Sequence, residues 1–135
     1  MPSSGGAATE LKPEGAHTAF ESFDGQLLYF TRAGRPGLWR MRPGGGPETA
    51  VPVELAANCG DDWRVTSRGM YFRVDRGDAD PEVRFLPAGG TTATTVATLG
   101  AQAWEGFTVS PDDSMIVYGR ADRRDCDIRM VENAF

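Results

Sequence analysis

Short runs of alternating apolar and polar residues, separated by clusters of Gly, Pro, Asp and Ser, recur along this chain at a nearly fixed step. Ser22, Thr66 and Ser110 stand 44 residues apart. Trp39, Val83 and Ile128 follow at steps of 44 and 45, each succeeded by an arginine (Arg40, Arg84, Arg129) and an apolar residue (Met41, Phe85, Met130). The pairs Gly45-Gly46 and Gly89-Gly90 keep the 44-residue step. Alternation of period two marks a strand with one buried and one wet face, and each copy resolves into such strands. The first is predicted over 19–22, 63–66 and 107–110. The second, over 27–31, 70–74 and 115–119, is rich in the aromatic and β-branched residues that suit a pleated surface. The turn between them is Phe23-Asp24-Gly25, Ser67-Arg68-Gly69 or Pro111-Asp112-Asp113, residues that bond locally, reach positive φ or preset φ. A polar loop (32–37, 75–81, 120–125) leads to a third strand around Trp39-Arg40-Met41 and its copies, where the arginine between apolar neighbours reads as solvated. The Gly-Gly pairs turn the chain into fourth strands at 48–52 and 92–97. No segment of helical length carries an i, i+3, i+4 apolar pattern, so the expected fold is all-β.

A period of about 40–45 residues built from four short antiparallel strands is that of a β-propeller blade. The chain divides into blades at 16–55, 60–98 and 103–135 within one half-propeller domain. The third copy stops after Met130-Val131 with no Gly-Gly and no fourth strand. Gly5-Gly6-Ala7-Ala8-Thr9-Glu10-Leu11 matches Gly45-Gly46-Pro47-Glu48-Thr49-Ala50-Val51 in order and character. Residues 1–12 are therefore expected to supply the outer strand of the last blade of a propeller, a closure that removes open strand edges.

The repeats resemble those of TolB-type β-propellers over nearly the whole chain. That family's phrase runs Ser-Pro-Asp-Gly, an apolar strand, a polar loop, a strand ending in an apolar pair, then Gly-Gly. Ser22-Phe23-Asp24-Gly25 and Ser110-Pro111-Asp112-Asp113 each keep three of the four letters, and Thr66-Ser67-Arg68-Gly69 keeps the last. Met130-Val131-Glu132-Asn133 is similar to the C-terminus of propellers that follow winged-helix domains in some bacterial regulators. Propellers have about four to eight blades, so three blades leave an apolar face at each end, the kind of patch that marks an interaction surface. The resemblance implies a six-bladed ring, expected here from a two-fold homodimer. The competing expectation is a fragment that folds only when joined to further blades.

Charge and candidate chemistry narrow the function. A net charge of −5 argues against a phosphate-backbone partner, which needs clustered Lys and Arg. No apolar run approaches the ~20 residues that span a bilayer, and the start lacks the pattern of a signal peptide. The expected compartment is the cytoplasm, or the periplasm if the chain derives from a longer exported protein. Cys59 and Cys126 lie 67 residues apart with neither CxxC nor zinc spacing. Asp75-Arg76-Gly77-Asp78-Ala79-Asp80 brings three carboxylates close together but lacks the ligand order of an EF-hand, and its Arg-Gly-Asp tripeptide reads as chance. There is no G-x-S-x-G elbow. His17, the one histidine, is placed in the connection entering the first inner strand. No catalytic residue, metal or cofactor is assigned. The expected functional surface is collective: His17, Glu21, Asp61, Asp62, Arg64, Trp104 and Glu105 at the mouth of the central channel, with Glu21 standing where the other blades have Val65 and Val109. The expected function is a non-enzymatic binding or scaffold module that recognises a protein, peptide or small ligand there. The alternatives are a lectin-like sugar binder stacking on Trp63 and Trp104, or a hydrolase or lyase at the channel mouth.

Overall fold

Three antiparallel sheets follow one another along the chain in the computed structural model, which describes residues 5–6, 15–57, 60, 62–121 and 126–132. The first sheet is the meander β1 (Ala16–Glu21), β2 (Leu28–Arg32), β3 (Arg35–Met41), β4 (Thr49–Val51). The second is β5 (Trp63–Val65), β6 (Gly69–Arg76), β7 (Ala79–Pro87), β8 (Thr94–Thr98). The third is β9 (Ala103–Val109), β10 (Met115–Ala121), β11 (Cys126–Glu132), its outer described edge being β11. None of the described residues is helical, and the architecture is all-β. The strand expected from residues 1–12 lies outside the described residues, as do Cys59 and the side chain of Cys126.

Residues opposite each other in an antiparallel pair point to the same face, so register decides which neighbour each side chain meets. Met70, Phe72 and Val74 of β6 turn toward blade one and pack with Leu38, Val51, Leu55, Trp63 and Leu86. Tyr71 turns the other way and packs with Val83, Leu99, Phe107 and Ile116 of the seam with blade three. Blade two is thus buried on both faces. This explains why Met70-Tyr71-Phe72 is a continuous apolar run and not an alternation.

Register also corrects the repeat alignment. Phe30 pairs with Trp39, Phe72 with Arg84 and Tyr118 with Arg129. Leu38, Val83 and Ile128 are therefore the equivalent positions, and the alignment of Arg40 with Arg84 is one residue out. Nor is Arg84 the solvated side chain expected from its pattern. It points toward blade one, donates from Nη2 to the Ala93 carbonyl at 3.0 Å and keeps only 23% of its side chain exposed. A long apolar stem lets its charge lie along the seam and still reach a carbonyl of the chain entering β8. The polar loop expected at 75–81 is a tight hairpin, because Arg76 already pairs with Ala79 and Gly77 takes a φ of 67° in the turn.

The turn after each inner strand is where the blades differ most. It closes from Ser22 N–H to the Leu27 carbonyl and from Ser110 N–H to the Met115 carbonyl, but from Thr66 N–H to the Gly69 carbonyl, two residues sooner. In the long form the serine hydroxyl accepts from the far strand (Leu27 N–H and Met115 N–H, both 2.9 Å) and donates to an aspartate in the turn (Asp24 at 2.7 Å, Asp112 at 2.6 Å). Those donors, with Ser114, hold the Asp112 carboxyl down at about 2. In the short form Gly69 sits so close to β7 that a Cβ would fall 2.2 Å from the Leu86 carbonyl oxygen.

Candidate functional site at the head of the inner strands

β5 touches both β1 and β9, so the three inner strands lie side by side. At their leading end Asp62 and Arg73 form a buried ion pair, 3.7 Å apart, with side chains 8% and 6% exposed. Taking two charges out of water costs several kcal/mol each unless both are well partnered, and here they are. Asp62 Oδ1 accepts from the Gly106 N–H at 3.0 Å, a bond to the next blade, and Arg73 Nη2 donates to Asp75 Oδ1 at 2.9 Å and toward the Ala103 carbonyl at 3.5 Å. The Arg73 N–H returns to the Asp62 carbonyl at 2.8 Å.

This pair floors a cavity of about 330 Å³ walled by Leu55, Ala56 and Val74 and rimmed by Glu54, Asp75 and Arg76. The rim carries both signs: Arg76 lies 3.7 Å from Glu54 and 3.6 Å from Glu82, and Arg84 lies 3.8 Å from Glu54. Exposed ion pairs are weakly held, so Glu54, well exposed, is available to an incoming polar group, while Asp75 has one oxygen engaged by the buried Arg73. Such a surface can orient hydrogen-bonding groups.

The structure joins some of the sequence-predicted site residues and separates others. His17 lies within β1 and not in the connection before it, because β1 starts at Ala16; its exposed ring meets the Thr18 hydroxyl at 3.3 Å. A Cβ at Gly60 would fall 3.1 Å from the His17 ring, so His17 sits beside the chain entering Asp62. Arg64 donates from Nη1 to the Trp63 carbonyl at 2.6 Å, and its guanidinium lies 5.5 Å from the Phe20 ring centre and 5.9 Å from that of Phe107. One cation on β5 thereby joins rings of the two flanking inner strands, β1 and β9. Glu21 is apart: it pairs with Leu28 at the far end of β1, about 13 Å along the strand from His17 at ~3.3 Å per residue. Asp61 lies outside the described residues, as do the side chains of Trp104 and Glu105. Trp63 is fully buried, edge-on to Phe20 at 4.8 Å, and is closed to a sugar ring. Sequence reasoning missed Arg73, Asp75 and Glu54. One signal was present: an arginine inside the run Met70–Val74 must have a buried partner.

Among the described residues no three His, Cys, Asp or Glu side chains gather as a metal site, and no helix is long and apolar enough to cross a membrane. Meanders packed face to face around side-by-side inner strands define β-propeller blades. No protein-family model and no curated protein matches the chain. Solved structures do. The TolB-assigned protein of Agrobacterium tumefaciens superposes with a TM-score of 0.67 at 21% identity, over 90% of this chain and 43% of that one. TolB from Acinetobacter baumannii gives 0.65 at 14% identity, over 86% and 29%, and a nidogen/laminin complex gives 0.60 at 14%, over 87% and 44%. The repeats are TolB-like β-propeller blades, and the chain spans less than half the length of the structures it matches.

Proposed function

We propose that the chain is a non-enzymatic binding module whose three blades form half of a six-bladed ring completed by a second copy, and that this ring recognises a protein or peptide at the Asp62–Arg73 cavity. One observation carries the ring: the end face of blade three repeats the seam positions and leaves them exposed, with no described blade beyond it. On blade one, Leu28, Phe30 and Met41 stand in register with Met70, Phe72 and Leu86 of the first seam, and Phe30 and Met41 are already buried within the chain. On blade three, Val117, Ile128 and Met130 stand in register with Tyr71, Val83 and Phe85 of the second. Ile128 and Met130 are 79% and 53% exposed. Apolar area left bare on blade three is worth roughly 25 cal/mol per Å² when covered, and a two-fold pair covers that face on both copies at once.

Recognition of a polypeptide is supported by the cavity's rim, where donors and acceptors of both signs surround an apolar wall. That one of the similar structures is a nidogen/laminin complex fits the same reading. Light scattering is expected to give about 29 kDa, twice 14.6 kDa, and Ile128→Glu with Met130→Glu to give a folded single chain. A folded wild-type monomer overturns the ring. A peptide library should yield ligands that weaken about tenfold on Glu54→Lys or Asp75→Lys; no such ligand, or no effect, overturns the site.

A further inference from the structure

The blade one–blade two seam contains a second cavity, at the opposite end of the strands from the Asp62–Arg73 site. Its volume is about 430 Å³, within the range of sites that hold small organic ligands. Its origin is the short turn of blade two. In the next seam the long turn of blade three carries Asp113, 1% exposed and at a φ of 59°, back to the Thr66 hydroxyl at 3.1 Å and toward Arg68 at 3.9 Å, filling the space between turns. The turn Thr66–Gly69 has no residue at that position, so nothing reaches back toward Ser22 and the space stays empty.

The walls are apolar: Leu27, Tyr29, Val51, Val65, Met70 and Leu86. Arg40 is the one cation of the lining, and it points inward because its register turns it toward blade two. Its Nε donates to the Thr49 hydroxyl at 3.2 Å, and its two terminal nitrogens have no partner among the described residues. Asp24, the one anion of the lining, is already engaged by the Ser22 hydroxyl at 2.7 Å and the Gln26 N–H at 3.1 Å. Phe23, 82% exposed, stands at the entrance. A half-covered guanidinium with a free fork beside an apolar wall favours a singly charged carboxylate, since the fork fits it by paired charge-assisted bonds and apolar walls disfavour a more highly charged phosphate.

We propose that this seam cavity binds a carboxylate carried on an aromatic or branched aliphatic body, the carboxylate held by Arg40. The chemistry is shared by free organic acids and by the last residue of a polypeptide, and the proposal stands apart from the reading of the Asp62–Arg73 cavity, so either can fail alone. The test is amide NMR on the full chain, titrated with phenylbutyrate, its neutral analogue phenylbutanol, and the tripeptide Gly-Gly-Leu as free acid and as amide. Shifts are expected at Thr66, Gly69, Gly89 and Gly90, with at least one acid about tenfold tighter than its neutral analogue. Phenylbutyrate alone binding identifies free acids as the source; Gly-Gly-Leu alone binding identifies a chain end. Arg40→Met should abolish the preference for acid and Arg40→Lys should keep part of it. Replacing Ser67-Arg68 by the four residues Pro-Asp-Asp-Ser, which gives blade two a long turn, should close the cavity to all probes. No shifts at millimolar probe, equal affinity for acid and neutral analogue, or indifference to Arg40→Met overturns the proposal.

Discussion

The two seams flanking blade two are built from equivalent positions and finished in different ways. The seam with blade three is tied at both ends by buried polar groups. At one end Asp62 holds the Gly106 N–H, and at the other Asp113 holds Thr66. The seam with blade one is the larger apolar cluster, with Trp63 and Phe72 at its centre, and it ends in an open cavity. Buried polar links add little net energy but specify geometry, whereas apolar contact tolerates sliding. One seam therefore sets the angle between its blades, and the other leaves room between them.

Three changes test that contrast. The largest effect is expected from Asp62→Ala, which leaves the Arg73 guanidinium buried with Asp75 as its remaining close carboxylate: about 3 kcal/mol, read by urea unfolding. Its counterpart 44 residues earlier, Thr18→Ala, should cost about 0.5 kcal/mol, as a surface change does. Equal losses at the two positions would erase the distinction. Asp113→Ala comes next, at about 2 kcal/mol, from a lost buried hydrogen bond and a side chain forced to positive φ. Asp113→Gly should recover part of that loss. The smallest effect concerns Tyr71. Burial first, and then the nearby Asp113 carboxylate, push its phenol well above the ordinary range. The unfolded chain releases that proton near pH 10 while the native chain keeps it. Stability from this group is therefore complete below pH ~10 and falls as pH rises further. Tyr71→Phe should delete the most alkaline step of the absorbance titration at ~295 nm.

The blades were legible in the sequence because the turns repeat and the strand pattern has period two. The unequal turns were not, since two length differences of opposite sign nearly cancel in the spacing. Blade two loses two residues at Thr66–Gly69 and gains three in a longer hairpin, Phe72 and Arg84 standing 12 apart where Phe30 and Trp39 stand 9 apart. A step of 44 survives while the register inside it shifts, which is why Arg40 was matched to Arg84. The site was half legible. Asp62 and Arg64 stand at the start of a recognisable inner strand. Arg73 comes from the neighbouring strand and Glu54 from the connection between blades, and no spacing rule links either to Asp62. Glu21 was grouped with His17 because the two are close in sequence, although β1 is extended and holds them near its opposite ends.

The serine–aspartate turn has a consequence for how the molecule assembles. In blades one and three every partner in that turn lies within five residues, so the β1–β2 and β9–β10 hairpins close from local contacts, on the microsecond scale of isolated hairpins. Blade two keeps two longer local bonds, from the Arg68 N–H to the Thr66 hydroxyl at 3.3 Å and from that hydroxyl to the Gly69 carbonyl at 3.5 Å, and its shorter anchor, Asp113, lies 47 residues downstream. The outer blades are thus poised to form early, and the middle one, buried most deeply, waits for its neighbour to arrive.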